Sequence, residues 1–177
     1  MRKVVASLAT AVFSLSVLAF GVAGAAGKNG GKKLLPGDVP PVALGMTRAG
    51  EEIETTQFAG RVMVVTFWAS WCGPCRTELT MLERLQQVAK ERVKVVAVNI
   101  EERETFRAVS RALNSFGVTL TNDPRMRYAD AYGVNGIPHM VIIGKDGKVI
   151  SVHRGYSEAA LDGLLAEINA ALTGTAQ

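Results

Sequence analysis

The chain contains two cysteines, and they stand three positions apart in Trp71-Cys72-Gly73-Pro74-Cys75. Two thiols at this spacing can form and break a disulfide reversibly, which is the chemistry of a dithiol switch. A structural disulfide is the plainer reading. A bond across so short a step constrains the unfolded chain little, and Gly, Pro and Trp around it are the residues of an accessible turn. The elements that would hold the pair are legible on either side. Val62-Met63-Val64-Val65-Thr66-Phe67-Trp68 has strand composition and unbroken apolar character. Glu78, Leu79, Leu82, Leu85, Val88 and Ala89 recur at helical spacing after the cysteines, predicting a helix over 74–90. The pair is thus expected where a strand turns into a helix N-terminus.

Further elements follow from pattern. Val93–Asn99 reads as a strand buried on both faces, as in a parallel sheet. Phe106, Val109, Leu113 and Phe116 mark a helix over 104–116, and 118–120 a short strand. Asp123-Pro124 opens a helical stretch to about Tyr132. His139–Ile143 and Val149–His153 are strands joined by the turn Gly144-Lys145-Asp146-Gly147-Lys148. Ser157 is expected to cap a last helix to about Leu172, with Leu161, Leu164, Leu165 and Ile168 inward. Upstream, 42–44 and 52–55 read as short strands and 56–60 as a helical turn. The order requires one parallel and one antiparallel pairing, so an α/β fold with a mixed sheet and helices on both faces.

The N-terminus has a different character. Met1-Arg2-Lys3 is a basic head, an uncharged apolar run extends to about Gly27, and Ala23-Gly24-Ala25 is a small-residue cleavage pattern. A signal peptide over 1–25 is expected, with an uncleaved membrane anchor as the alternative. No cysteine follows the run for lipid attachment. Residues 26–35, rich in Gly and Lys, read as a flexible lead-in, and 36–177 as one domain. The chain has 20 Lys+Arg against 16 Asp+Glu. Without Arg2 and Lys3 the balance is 18 against 16, and no basic helix with interleaved aromatics suggests nucleic acid.

The chain resembles the thioredoxin superfamily and, within it, the exported TlpA/ResA-like thiol-disulfide oxidoreductases. The resemblance is carried by Phe67-Trp68-Ala69-Ser70-Trp71-Cys72-Gly73-Pro74-Cys75-Arg76-Thr77-Glu78, by Val95-Val96-Ala97-Val98-Asn99, by Tyr132-Gly133-Val134 with Gly136-Ile137-Pro138, and by the 143–149 hairpin. It spans about 36–172. It implies a thioredoxin-like fold with an N-terminal β extension and an inserted helical segment. It implies that Cys72 is the exposed, attacking thiol, favoured as thiolate by the helix N-terminus, and that Cys75 resolves the mixed disulfide. Gly73 would let a partner backbone approach, and Pro74 suits the first helical turn. Gly-Pro between the cysteines implies a reducing poise, nearer roughly −270 than −120 mV.

Glu78 falls on the same side of the helix as Cys75. ResA-like proteins carry a glutamate here, whereas the strand position that holds an acid in cytosolic thioredoxins is Thr66. Glu78 is therefore expected to be partly buried, with a raised pKa, and to carry the Cys75 proton; the alternative is an ordinary first-turn glutamate. Ile137-Pro138 resembles the family's cis-proline, facing the disulfide and pairing with a client strand; the alternative is a trans proline opening a strand. Trp71 borders the partner surface or joins the core, and Trp68 points inward. His139-Met140 departs from the small hydroxyl residues many relatives have after the proline.

The resemblance implies no cofactor beyond the Cys72–Cys75 disulfide, a client protein disulfide as substrate (apocytochrome c among the options), a membrane thiol donor, a monomer, and an extracytoplasmic or periplasmic location. The competing class is a copper-binding module, with soft thiolates joined by His139, His153 or Met140; the two-residue gap with Gly-Pro argues against it. A zinc site lacks its ligand spacing. Peroxiredoxin chemistry lacks its threonine, since Ala69 stands three positions before Cys72.

Overall fold

The computed structural model describes Gly31 and residues 33–174. The expected signal peptide, the uncleaved-anchor alternative and most of the lead-in lie outside the described residues. No helix among those described is long and apolar enough to cross a membrane.

Seven strands form one sheet. They are β1 (Ala43–Met46), β2 (Glu52–Glu54), β3 (Val62–Trp68), β4 (Val93–Asn99), β5 (Thr119–Asn122), β6 (His139–Ile143) and β7 (Val149–Arg154), in the spatial order β2-β1-β5-β4-β3-β6-β7. β3 and β4 run parallel, from Val62 opposite Val93 to Trp68 opposite Asn99, and β4 runs parallel to β5. β6 lies antiparallel to β3, with Phe67 opposite His139. β3, like β6, is buried at every position, which suits its nearly continuous apolar run.

Alternation along β3 divides the interior. Val62, Val64 and Trp68 meet Leu79 and Leu82 of α1 (Gly73–Ala89) and Leu164, Ile168 and Ala171 of α4 (Leu161–Thr173). Met63, Val65 and Phe67 face the opposite layer, with Ala129 of α3 (Arg127–Ala131), Tyr132 and Val134. Each of the larger aliphatic side chains buried here contributes about 1.5–3 kcal/mol. This is the mixed α/β/α arrangement the pattern required.

Several boundaries differ from expectation, each for a local reason. α2 (Arg103–Ala112) stops four residues early, and Leu113 and Phe116 pack against the core from the segment beyond it. β5 lies one residue later at its start and extends to Asn122. The stretch from Asp123 is not helical until Arg127, because the Asp123 carboxylate accepts from the backbone N–H groups of Arg127, Tyr128 and Ala129 at 2.8–2.9 Å and so fixes the start of α3. Ser157 makes no side-chain cap; a 3₁₀ turn at Glu158–Ala160 leads into α4. Val88, one of the residues recurring at helical spacing, is 77 % exposed. Leu34, within the segment expected to be flexible, is buried, and Gly37 N–H and Asp38 C=O bond to the backbone of Val149.

Candidate active site

β3 ends at Trp68, and the chain turns through Ala69 and Ser70 to Cys72, the N-cap of α1. Cys72 has extended backbone angles, and its Sγ accepts a hydrogen bond from Cys75 N–H at 3.2 Å, satisfying one of the donors a helix start leaves unpaired. Pro74 sits in the first turn, where its missing N–H costs nothing. Cys72 and Cys75 are joined as a disulfide.

The family resemblance implies an exposed attacking thiol. In the disulfide form Cys72 is only 6 % exposed, and Cys75 1 %. The bond and the Cys75 N–H together draw the Cys72 sulfur in against the helix start. A narrow edge of Cys72 remains the more accessible of the two. Around it the surface is open: Trp71 is 70 % exposed, Pro74 is exposed, and nothing lies within 4 Å of the position a Cβ on Gly73 would take. Trp71 is thus a surface residue, whereas Trp68 is buried with its indole N–H unpartnered.

Glu78 is 2 % exposed, on the inner side of α1 with Cys75, Leu79 and Leu82. Its Oε1 accepts a hydrogen bond from Thr66 Oγ1 at 2.6 Å. Burial pushes its pKa up from 4.5 to about 7; the Thr66 hydroxyl, which favours the charged form, opposes this without cancelling it. A carboxyl with that affinity can hold or release a proton near neutrality, one helical turn beyond Cys75.

The Ile137–Pro138 peptide is cis, and Pro138 C=O accepts from Gly155 N–H at 2.8 Å. Pairing of Phe67 with His139 sets Pro138 beside the end of β3, where the chain departs for the disulfide. Ile137 packs against the cluster that contains both cysteines. His139 is fully buried on the opposite face, against the Phe67 ring at 6.3 Å, with neither ring nitrogen partnered. Burial, with the nearby Arg154 charge, lowers its pKa to about 4. His153, on β7, bonds to Ser151 and Glu167. Among the described residues no three His, Cys, Asp or Glu side chains gather as a metal site.

A polar network that no sequence motif marks also supports the site. Glu101, just past β4, accepts from Ser70 N–H at 2.6 Å, Ser70 Oγ at 2.8 Å and Asn99 Nδ2 at 2.9 Å. Asn122 Nδ2 in turn donates to the backbone carbonyls of Asn99 and Glu101. This network ties the turn before Cys72 to the ends of β4 and β5. Its signal in sequence was a polar Asn99 closing a buried apolar strand.

A family model described as Redoxin matches residues 35–171. The chain belongs to the Redoxin family. Its relatives include the thiol-disulfide oxidoreductase ResA of Halalkalibacterium halodurans, 32 % identical over 109 residues, covering 60 % of this chain and 61 % of that protein. ResA of Bacillus subtilis is 32 % identical over 121 residues, covering 67 % and 66 %. The match thus spans somewhat under two thirds of these two relatives. Among solved structures, a provisionally assigned thiol:disulfide interchange protein DsbE from Chlorobium tepidum superposes with a TM-score of 0.70 at 32 % identity, covering 79 % of this chain and 99 % of that one. Within the Redoxin family the protein is therefore TlpA/ResA-like, with a thioredoxin-like fold.

Proposed function

We propose that this protein is an extracytoplasmic thiol-disulfide oxidoreductase that reduces disulfides in client proteins. The observation that carries the reading is the joined Cys72–Cys75 pair at the start of α1, with buried Glu78 one helical turn beyond Cys75. In the reduced protein the Cys72 thiolate attacks one sulfur of a client disulfide. A Cys72–client bond forms, and the other client sulfur leaves as a thiolate and takes a proton. Cys75, its proton taken by Glu78, then attacks Cys72 Sγ. The Cys72–Cys75 bond forms, and the second client thiolate departs. Two electrons pass to the client, and a membrane thiol donor restores the dithiol.

Trp71, Gly73 and Pro74 on one side and Ile137-Pro138 on the other border the approach to Cys72, where an extended client segment lies. The Gly-Pro dipeptide and the resemblance to ResA support the reducing direction, with apocytochrome c among the clients. The apolar, basic-headed leader supports export. Replacing Cys75 with Ser and recovering proteins held on Cys72 as mixed disulfides tests the reading. Clients released by reductant support it; a Cys75→Ser protein that traps nothing, with a parent that fails to reduce insulin, overturns it.

A further inference from the structure

Five of the chain's twelve arginines, Arg48, Arg103, Arg107, Arg125 and Arg127, line one concavity of about 690 Å³. It lies between the β1–β2 turn, the first turns of α2 and the β5–α3 connection. All five arginines are exposed. The ion pairs among the described residues, Arg61–Glu91 and His153–Glu167, involve none of them. Two carboxylates share the lining, Glu102 and Asp123. The Asp123 oxygens are already taken by the backbone at the start of α3. The site is therefore strongly cationic in a chain whose overall charge is only modestly positive. Concave walls focus such a field, and guanidinium groups pair with carboxylates through two parallel bonds.

Its place in the fold gives the field a use. β3, β4 and β5 are parallel, so their C-terminal ends share one edge of the sheet. β3 leads to Cys72, β4 to Arg103 and β5 to Arg125 and Arg127. Neighbouring strands lie about 4.8 Å apart, so the disulfide and the near side of the arginine site are separated laterally by about 10 Å. An extended chain covers that in about three residues.

We propose that this concavity binds an acidic stretch of the client polypeptide, about three to six residues from the cysteine that Cys72 attacks. The proposal rests on the reductase reading above and adds a substrate class to it. Phe106 and Tyr128, also in the lining, give an apolar floor to such a segment, which a bare inorganic anion would not use.

The test uses two peptides, each with one cysteine in a mixed disulfide with glutathione, followed four residues later by three glutamates in one and three glutamines in the other. Single-turnover reduction by the prereduced protein is followed at low and high salt. The acidic peptide is expected to react about tenfold faster at low salt. That ratio should fall toward one at high salt and in the R103Q/R107Q double variant. Equal rates for the two peptides, or a preference retained in the double variant, would overturn the arginine site and leave the reductase reading intact. Failure to reduce either peptide would overturn the reductase reading and this proposal with it. Binding to phosphatidylglycerol vesicles that the double variant loses, without any peptide preference, assigns the site to a membrane surface and likewise overturns the proposal.

Discussion

Thr66 Oγ1 donates to Glu78 Oε1 across 2.6 Å, joining the central strand to the first turns of α1 inside the core. Where a strand acid would stand in a cytosolic thioredoxin, this chain places a hydroxyl, and the acid comes from the helix instead. The pair sets when the buried Glu78 carboxyl loses its proton.

Glu78→Gln removes the proton acceptor while keeping shape. The second step, attack of Cys75 on the mixed disulfide, should slow by about 100-fold, with accumulation of the mixed disulfide. The pH-rate limb near 7 should disappear. Stopped-flow reduction of a peptide disulfide from pH 5 to 9 measures both; an unchanged profile would remove Glu78 from the mechanism.

Thr66→Val keeps the acid and deletes its hydrogen bond. That bond favours the charged form, so the limb should move upward, by about one pH unit for a bond to a charged group. A downward movement would contradict the geometry.

Glu78 and His139 pull stability in opposite directions with pH. Glu78 has a folded pKa of about 7 against 4.5. Its protonated form favours the fold, so its contribution is full below about pH 4.5 and is lost as pH rises through 7. His139 has a folded pKa of about 4 against 6.5. Its contribution is full above about 6.5 and is lost as pH falls through 4. Between about 4.5 and 6.5 the two slopes, each about 1.4 kcal/mol per pH unit, cancel. In the oxidised protein, Glu78→Gln should therefore lose stability relative to the parent as the solution is acidified, and His139→Leu should gain it. Denaturant unfolding at several pH values reads the difference; parallel curves for parent and variants would refute the pairing.

Glu101→Ala strips the acceptor from Ser70 N–H and Ser70 Oγ and leaves Asn99 with one partner fewer. The expected loss is about 1–3 kcal/mol, seen as a fall in Tm of roughly 2–4 °C for each kcal/mol in a domain of this size. A surface contrast is available on α1: Leu82→Ala should cost about 2–5 kcal/mol, and Val88→Ala should stay within about 0.5 kcal/mol.

How legible the molecule is from its residues depends on the range of the forces involved. β3, β4 and β6 have the bounds that their apolar runs dictate, because burial on both faces leaves a strand little freedom. Cys72, Cys75 and Glu78 are readable because they lie within two helical turns of each other. Ser70, Asn99, Glu101 and Asn122 are spread over more than fifty positions and meet only when β3, β4 and β5 align. Val88 misleads because period alone cannot say where along a helix the neighbouring element ends. Asp123 misleads in the opposite way: its carboxylate starts the helix from outside it. The inward turn of Cys72 depends on the bond to Cys75, which spacing permits but does not orient.

The alternation of β3, with Thr66 and Trp68 toward one layer and Phe67 toward the other, makes the sheet a septum. Hydrogen bonding carries the Glu78 carboxyl to Thr66 and stops there, while the imidazole beyond the strand has no relay to it. On the proposed mechanism, a hydrogen ion taken up by Glu78 is therefore held on the α1 side of the sheet, the layer in which Cys72 and Cys75 are packed.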